Sequence, residues 1–410
     1  MVNLPFDVLF AIIEEIGMQE RPDFDLLWAF CLTCGTLRPR AQAYLFHSLS
    51  LEFTTSEPHS FGACIAIYWK HMELIIKGNP HVAACVKYVR FRAGSRKGVS
   101  PNFVSLLSKF TMLRKIRCGY HNDRPESWTA LNTPQKRRWE TVFRLPSIHR
   151  LQIVGFAFIP ISVLFSCTNL QSLYIDSVST FDKPEVEGSL NDVHRPLPNL
   201  TSVQTTWDIT SLEPLFTVYP TIGAPLVEKS SIKYMFLRKI LDGDCSGLRD
   251  FPSLRSFDVD ISQFRDPYCL FTNFHPSSLQ SLNWLGLEFN WNMYPTMMYP
   301  SMVLAAALGR QPGLPSLTRV VVTVTLDWNQ YSSFQDGEME ELGKLDRLFA
   351  SRANFPRLHT VTIVLQAYTE QLMKEVTGFW VEDSGNIAKY LPLFAARLGC
   401  TLLPFVRLSP

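Results

Sequence analysis

The sequence predicts a mixed α/β fold in which a short N-terminal group of helices precedes a long parallel sheet lined by helices. Apolar residues near the N-terminus recur at helical spacing, and a strand-like apolar pattern recurs along much of the remaining chain. Segments with helical spacing separate copies of that pattern. Because strands and helices alternate, a parallel sheet lined by helices is favoured. The 410 residues are 46% hydrophobic and 19% charged, which excludes a disordered chain.

Three short helices are expected in the first fifty residues. The first begins at Pro5, because proline lacks the N–H group that a first helical turn leaves unpaired. Gly17 is expected to end it. Its two apolar rows are Val8, Ile12 and Ile16, and Leu9 and Ile13. A second helix is expected after Asp23 or Asp25, and a third from Pro39.

The order of these residues carries a family resemblance. It runs through Leu4-Pro5-Phe6-Asp7-Val8-Leu9, Ile12-Ile13, Ile16, Leu26-Leu27, Cys34, Leu37-Arg38 and Leu45-Phe46-His47-Ser48-Leu49. This order resembles the F-box, a helical module that binds the Skp adaptor of cullin-type ubiquitin ligases. The sequence departs from the pattern at Leu37, where many members have tryptophan, and in a longer loop from Gly17 to Asp25.

The resemblance implies an F-box over residues 1–53 that binds a Skp adaptor and, through it, a cullin. The implied adaptor-binding residues are Leu4, Pro5, Val8, Leu9, Ile12, Ile13, Leu26, Leu27 and Cys34, of which the last three could instead belong to the local core. The alternative is a helical cap on the following domain, which has the same apolar rows without any link to a ligase.

A helical run is expected from Phe61 to Lys77. After it, a six-residue pattern with apolar residues at its first, fourth and sixth positions recurs along the chain. The clearest copies are Ile148–Ile153, Leu170–Ile175 and Leu254–Val259, and weaker copies start at Val86, Leu113, Leu200, Leu279, Leu317, Leu358 and Leu403. Helical spacing marks Ser301–Leu308, Glu338–Ser351 and Asn386–Leu398. Successive copies start 22 to 54 residues apart, whereas regular leucine-rich repeats recur every 20 to 29 or so.

The arrangement resembles the irregular leucine-rich-repeat tails common behind F-boxes, especially in fungal proteins. The resemblance implies a degenerate solenoid over residues 60–410, with parallel strands on its concave face and helices outside. An ordinary α/β domain is the alternative.

Basic residues are concentrated in one part of the chain. Residues 87–150 contain fifteen Lys or Arg and three acidic residues. Because side chains alternate along a strand, the strand pattern exposes Tyr88, Arg90, Arg92, Lys115, Arg117, Arg150 and Gln152 on the concave face. Arginine offers paired donors to carboxylates and phosphates, so these residues are candidates for binding an acidic or phosphorylated client. A merely solvated strand face is the alternative.

Three further segments are candidates for weaker roles. Later copies expose Ser172, Tyr174, Asp176, Ser202, Gln204, Thr206, Ser256, Asp258 and Asp260, a face that turns polar and acidic. Aromatic residues and methionines crowd Phe289–Tyr299, where they could bind a partner or fill a core. The run Lys136-Arg137-Arg138-Trp139 could be a nuclear import patch, a phosphate contact or a solvated helix face.

No enzyme, metal ion or cofactor is expected. The chain lacks a Walker loop, a G-x-G-x-x-G turn, an H-E-x-x-H pair and a G-x-S-x-G elbow. Cys31 and Cys34 are spaced like half of a zinc site, but no second pair follows at ligand spacing. Nine scattered cysteines favour a reducing compartment, cytoplasmic or nuclear. Neither nucleic acid nor a membrane is an expected partner, and no secretory signal is expected.

These observations leave two main hypotheses about function. The first is a substrate receptor whose F-box binds the Skp adaptor and whose repeats bind an unknown protein client. The second is a repeat-type interaction scaffold without a ubiquitin role, and a diverged enzyme comes third. The orientation of Leu4, Pro5 and Leu9 separates the first two, because a cap would bury them against the first repeat.

Overall fold

The computed structural model describes most of the chain. The described residues are 5–19, 22–53, 65–93, 99–120, 126–176, 181–182, 199–206, 209–219, 223–237, 246–261, 269–290, 301, 304–305, 314–326, 336–367 and 401–408. They fall into two compact units, Met1–Leu200 with Thr217–Val227 and Thr201–Phe216 with Glu228–Pro410. The division at residues 53 and 60 rests on the family resemblance and stays a prediction.

The helices and strands alternate as the sequence predicts. The helices are α1 Phe6–Met18, α2 Phe24–Thr33, α3 Arg38–Leu45, α4 Trp69–Gly78, α5 His81–Cys85, α6 Pro101–Ser108, α7 Thr133–Phe143, α8 Glu213–Phe216, α9 Cys269–Thr272, α10 Pro276–Ser281 and α11 Asp336–Ala350. The longer strands are β1 Ser48–Glu52, β2 Ile65–Tyr68, β3 Tyr88–Arg92, β4 Lys115–Gly119, β6 Arg150–Val154, β9 Ser172–Ile175, β11 Ser202–Thr205, β14 Tyr234–Leu237, β15 Ser256–Asp260, β16 Trp284–Asn290, β17 Arg319–Leu326, β18 Thr360–Ala367 and β19 Thr401–Leu408. Two-residue strands are β5 Glu126–Ser127, β7 Phe156–Ala157, β8 Ile159–Pro160, β10 Phe181–Asp182, β12 Val218–Tyr219 and β13 Ala224–Pro225. No helix in the described ranges has both the length and the apolar character needed to cross a bilayer.

In the first unit the longer strands form a parallel sheet in the order β2-β1-β3-β4-β6-β9. β1 pairs with both β2 and β3, and β2 forms the edge of the sheet. From β3 onward each strand pairs with the next of the longer strands along the chain. The register aligns two columns of apolar side chains. One is Leu49, Val89, Ile116, Leu151 and Leu173, and the other is Leu51, Phe91, Cys118, Ile153 and Ile175, all of them buried. The recurring apolar pattern therefore marks the buried side of this sheet.

The second unit repeats the arrangement with the order β11-β14-β15-β16-β17-β18-β19, again parallel. One buried column is Val203, Met235, Phe257, Leu285, Val320 and Val361. The predicted class, a mixed α/β fold with parallel sheets and helices, is confirmed in both units. The concave and convex faces implied by the resemblance stay a prediction.

A shared backbone contact joins successive copies within each unit. The carbonyl oxygen of the residue at the second position of the apolar pattern accepts hydrogen bonds from two successive backbone N–H groups of the next copy. His47 O accepts from the N–H groups of Lys87 and Tyr88, each at 3.0 Å, and Lys87 O accepts from Arg114 at 2.9 Å and Lys115 at 3.1 Å. In the second unit the same contact is made by the carbonyl groups of Thr201, Lys233, Arg255, Asn283 and Thr318. The position of this carbonyl fixes where each new strand begins.

The sequence pattern places some copies wrongly and misses others. The copy predicted at Leu279 is wrong, because Leu279 lies in α10, and the strand copy begins at Leu282 with Leu285 and Leu287 buried. Apolar residues three apart fit a helix as well as the strand pattern, so the sequence alone left this register ambiguous. The pattern also missed the copies that start at Phe46 and Ile232, which lead into β1 and β14.

Other predicted elements have mixed outcomes. The expected helical run Phe61–Lys77 is wrong at Ile65–Tyr68, which pairs with β1 as strand β2 before α4 begins at Trp69. The helix expected over Glu338–Ser351 is confirmed as α11. The helix expected over Asn386–Leu398 lies outside the described residues, as do most of Ser301–Leu308 and all but the first two residues of Phe289–Tyr299.

The N-terminal helices begin near the expected residues, but Gly17 has another role. α1 starts directly after Pro5, and the Asp23 side chain caps α2 by accepting from Leu26 N–H at 3.0 Å. α1 continues past Gly17 to Met18, so the prediction that Gly17 ends it is wrong. A Cβ atom at this position would overlap the Tyr44 ring on α3. Glycine is therefore required for the close packing of α1 against α3.

An aromatic cluster fills the helical side of the first unit. Trp139 of α7 is fully buried, stacks on Phe91 at 5.7 Å and donates from Nε1 to Tyr120 Oη at 3.3 Å. The basic run around it therefore divides between interior and surface. Arg137 is exposed, whereas Arg138 donates to the carbonyl oxygen of Val99 at 3.1 Å.

A buried hydroxyl group joins α10 to the turn before β15. Ser278 is fully buried, its Oγ donates to the carbonyl oxygen of Phe251, and it accepts from Leu254 N–H at 3.0 Å. Without this hydroxyl both backbone groups would be left unpaired away from water, which is costly.

We expect Ser278→Ala to lower the free energy of unfolding by about 1 to 3 kcal/mol, the cost of leaving a buried backbone group unpaired. Urea denaturation of the variant and the wild type measures this difference. The exposed neighbour Ser277→Ala is the control and should change stability by less than about 0.5 kcal/mol. Equal stability of the two variants would show that Ser278 does not secure this turn.

Candidate protein-interaction surfaces

Large apolar side chains point into solvent on α1 and α2. We define the helical apolar surface as Phe6, Val8 and Ile12 of α1 with Leu26, Trp28 and Leu32 of α2. Val8 is 43% exposed, Ile12 37% and Leu32 77%. Exposed apolar groups scattered singly are ordinary, but here six lie on two contacting helices, which makes them candidates for contact with a partner.

The predicted adaptor-binding residues divide between this surface and the interior. Leu4 lies outside the described residues, Leu9 and Cys34 are half-buried, and Pro5, Val8, Ile12 and Leu26 are exposed. Ile13 and Leu27 are 0% exposed, so in this structure they belong to the local core and do not form the surface. The physical reason is that Ile13 packs inward together with Ile16, whereas Val8 and Ile12 lie on the side of α1 that faces solvent.

Sequence reasoning missed three members of the helical apolar surface, namely Phe6, Trp28 and Leu32. Trp28 and Leu32 lie four residues apart, which places them on one face of α2. A signal was present in the sequence, because α2 has more apolar residues than one buried stripe of a short helix can hold. Trp28 keeps one edge against Phe46, with ring centroids 5.9 Å apart in a T-shaped arrangement.

Polar contacts hold the three helices in position beneath this surface. Arg38 Nε donates to the carbonyl oxygen of Cys31 at 3.0 Å, and Arg40 of α3 pairs with Glu14 of α1. Burial raises the pKa of the Cys31 thiol. Backbone N–H groups of the α3 turn, first that of Thr36, lower the pKa of the Cys34 thiol. The two cysteines thus have different surroundings, one in the core and one at the entry of α3.

The basic residues of the first unit share one side of its sheet. We define the basic strand face as Tyr88, Arg90, Arg92, Lys115, Arg117, Arg150 and Gln152. All seven alternate with the buried apolar columns, and all are half-buried except Arg150, which is exposed. The register aligns Tyr88 with Lys115 and Arg150 in one row, and Arg90 with Arg117 and Gln152 in the next. The structure therefore brings together residues far apart in sequence; their role in client binding stays a prediction.

Contacts within the basic strand face differ between residues. Lys115 Nζ lies 4.6 Å from the centroid of the Tyr88 ring, a cation–π contact. The Nε atom of Arg117 is buried without a hydrogen-bond partner. In the described part of the chain, Arg117, Arg150 and Gln152 form no ion pair and no side-chain hydrogen bond. These three side chains are available for a ligand.

The corresponding face of the second unit carries acidic residues on β15 and β16. Asp258 and Asp260 of β15 lie beside Gly286 and Glu288 of β16, on the same side as Trp284. A Cβ atom at Gly286 would collide with the Asp258 carboxyl oxygen and the Trp284 ring, so these two side chains fill the space over the glycine. Burial, and then the nearby Glu288 carboxylate, raise the pKa of Asp258 to about 7.

We expect Asp258→Asn to stabilise the protein at pH 8 by about 1 to 3 kcal/mol, because the wild type must ionise a buried carboxyl group there. The folded state holds this proton more tightly than the unfolded chain, so wild-type stability falls as pH rises from about 4 through 7. Denaturation at pH 4 and pH 8 checks this. The exposed Glu15→Gln is the control for charge, and a gain at both pH values would contradict the assignment.

Comparisons with known proteins identify no family. No protein-family model matches the sequence, and no curated protein matches it as a relative. A crystal structure of an internalin, InlF, from Listeria monocytogenes strain 4b F2365 aligns over 97% of this chain and 92% of that one. The identity is 14% and the TM-score 0.29, values too low to support any argument about fold or function.

Proposed function

We propose that the chain is a substrate receptor of an SCF-type (Skp–cullin–F-box) ubiquitin ligase. The helical apolar surface binds the Skp adaptor, which links the chain to a cullin, and the polar strand faces of a degenerate leucine-rich-repeat region bind a protein client. The receptor acts in the cytoplasm or the nucleus, where its partners are found. It catalyses nothing itself and raises the effective concentration of the ubiquitin-transfer machinery near client lysines.

One observation carries this proposal: Pro5, Val8 and Ile12 face solvent at positions where the F-box resemblance implies adaptor contact. Fully burying an exposed side chain of this kind is worth roughly 1.5 to 3 kcal/mol. Val8 is 43% and Ile12 37% exposed, so less than half of that, about 1 kcal/mol each, is left for a partner to supply. A cap would bury this row against the chain's own sheet. Here Ile13 and Ile16 supply the internal packing, and Val8 and Ile12 remain exposed.

The strand arrangement supports the client-binding part of the proposal. Parallel strands that pair in chain order present one outward side chain at every second residue, so short copies together build a face several strands wide. A repeat scaffold without a ubiquitin role would have the same strands. Only the helical apolar surface favours the ligase.

We expect the wild-type chain to copurify with a coexpressed Skp adaptor and the double variant Val8→Asp, Ile12→Asp to lose it, with affinity at least about 100-fold weaker. Two carboxylates would have to be buried unpaired in an apolar interface. Both side chains are exposed in the free chain, so the variant should keep its fold, which circular dichroism checks.

The control is Leu74→Asp, which places the same charge at an exposed apolar residue of α4 outside the surface. This variant should bind the adaptor like the wild type. If the folded wild type never retains the adaptor, the ligase proposal fails and the repeat scaffold takes its place.

A further inference from the structure

We propose that Lys115, Arg117, Arg150 and Gln152 form a binding site for the phosphate group of a phosphorylated protein client. The inference deepens the proposed function and depends on it only for the statement that the phosphate belongs to a client. We call these four residues the phosphate site. They form a compact part of the basic strand face.

The register of β4 and β6 places the four side chains at the corners of a rectangle. Lys115 lies opposite Arg150, and Arg117 lies opposite Gln152. Neighbouring strands are about 4.8 Å apart and residues two apart on a strand about 6.6 Å, all on one side of the sheet. Long side chains that start from these corners can reach one small anion above the centre.

The charges within the rectangle are all of one sign. Three corners are cations and the fourth is an amide that can donate two hydrogen bonds, and no acidic residue lies among them. Lys115 and Arg150 are like charges directly opposite each other on neighbouring strands, an arrangement that by itself destabilises a sheet. A bound dianion would reverse that effect. Sites that conflict with the preferences of the fold are commonly functional ones.

The availability of donors favours a ligand over an internal salt-bridge network. Arg117 is half-buried, and its buried Nε atom has no hydrogen-bond partner. Neither it nor Arg150 pairs with an acid in the described ranges. Polar residues surround the rectangle, with Tyr88 and Arg90 on β3 and Ser172 and Tyr174 on β9.

Phosphate fits this site better than a carboxylate or a nucleic acid. A carboxylate accepts two parallel bonds in one plane, whereas donors from four corners match the spread oxygens of a tetrahedral phosphate. A nucleic acid needs a continuous basic track for successive phosphates. The row through Arg117 instead continues to Tyr174 on β9, and that strand is followed by the buried Asp176. A single phosphate on a peptide is the ligand that one compact site can hold.

The test uses O-phospho-L-serine as the probe and measures its binding to the full chain by calorimetry at constant ionic strength. We expect binding by the wild type and a loss of ten- to a hundredfold or so in Arg117→Met, which keeps the apolar stem and removes the charge-assisted bonds. Arg117→Lys should fall between them, because lysine keeps the charge without the paired donors.

The matched control is Arg114→Met, which removes the same charge one residue before β4, outside the phosphate site. It should weaken binding by less than about threefold, since only the general charge changes. Without the probe, Arg117→Met should unfold at the same temperature as the wild type or higher, because a like charge has been removed. A lower melting temperature would mean that Arg117 supports the fold, and would overturn the site.

The remaining outcomes decide the proposal as well. If O-phospho-L-serine does not bind, if both variants weaken it equally, or if a single-stranded oligonucleotide binds instead and depends on Arg117, the phosphate site is wrong. Failure of the adaptor experiment is separate. Phosphate binding that depends on Arg117, in a chain that never retains the adaptor, would keep this site and reject the ligase.

Discussion

The fold depends on one repeated backbone contact, the carbonyl group that accepts two N–H groups from the following copy. It occurs at the second position of the apolar pattern, for example at His47 and Lys87 in the first unit and at Lys233 and Asn283 in the second. Because this contact sets the first paired residue of each strand, it also sets which side chains face inward. A shift by one residue would turn every apolar column toward solvent. The buried columns and the polar rows are therefore two results of the same constraint.

The polar rows are where the two units differ in chemistry. The inward positions of both units take similar aliphatic and aromatic residues, so the packing requirement is shared. The outward positions lie outside the buried columns, and they are basic in the first unit and acidic beside Asp258 in the second. The packing of the core therefore does not set the charge of either face.

Sequence reasoning was reliable where alternation and turns agreed. The copies at Val86 and Ile148 were placed correctly because a short apolar pattern follows a clear break. It failed at Leu279, where helical and strand spacing of apolar residues coincide. It also failed at Gly17, because glycine is required there by the Tyr44 ring, which is distant in sequence. The same limit applied to the helical apolar surface. Periodicity identified the apolar residues of α1, but it grouped Ile16 with Val8 and Ile12, whereas the structure buries Ile16 beside Ile13.

The paired carbonyl contact has a consequence for how the chain accommodates change in length. It involves only the first residues of each copy, so the connecting segment can lengthen or shorten while the strand register is preserved. Copies whose strands the structure describes start as little as 22 residues apart, from Ile148 to Leu170, and as much as 41 apart, from Leu317 to Leu358, yet the strands within each unit keep one continuous parallel ladder. Insertions between copies can therefore accumulate in the connections without disturbing the outward rows.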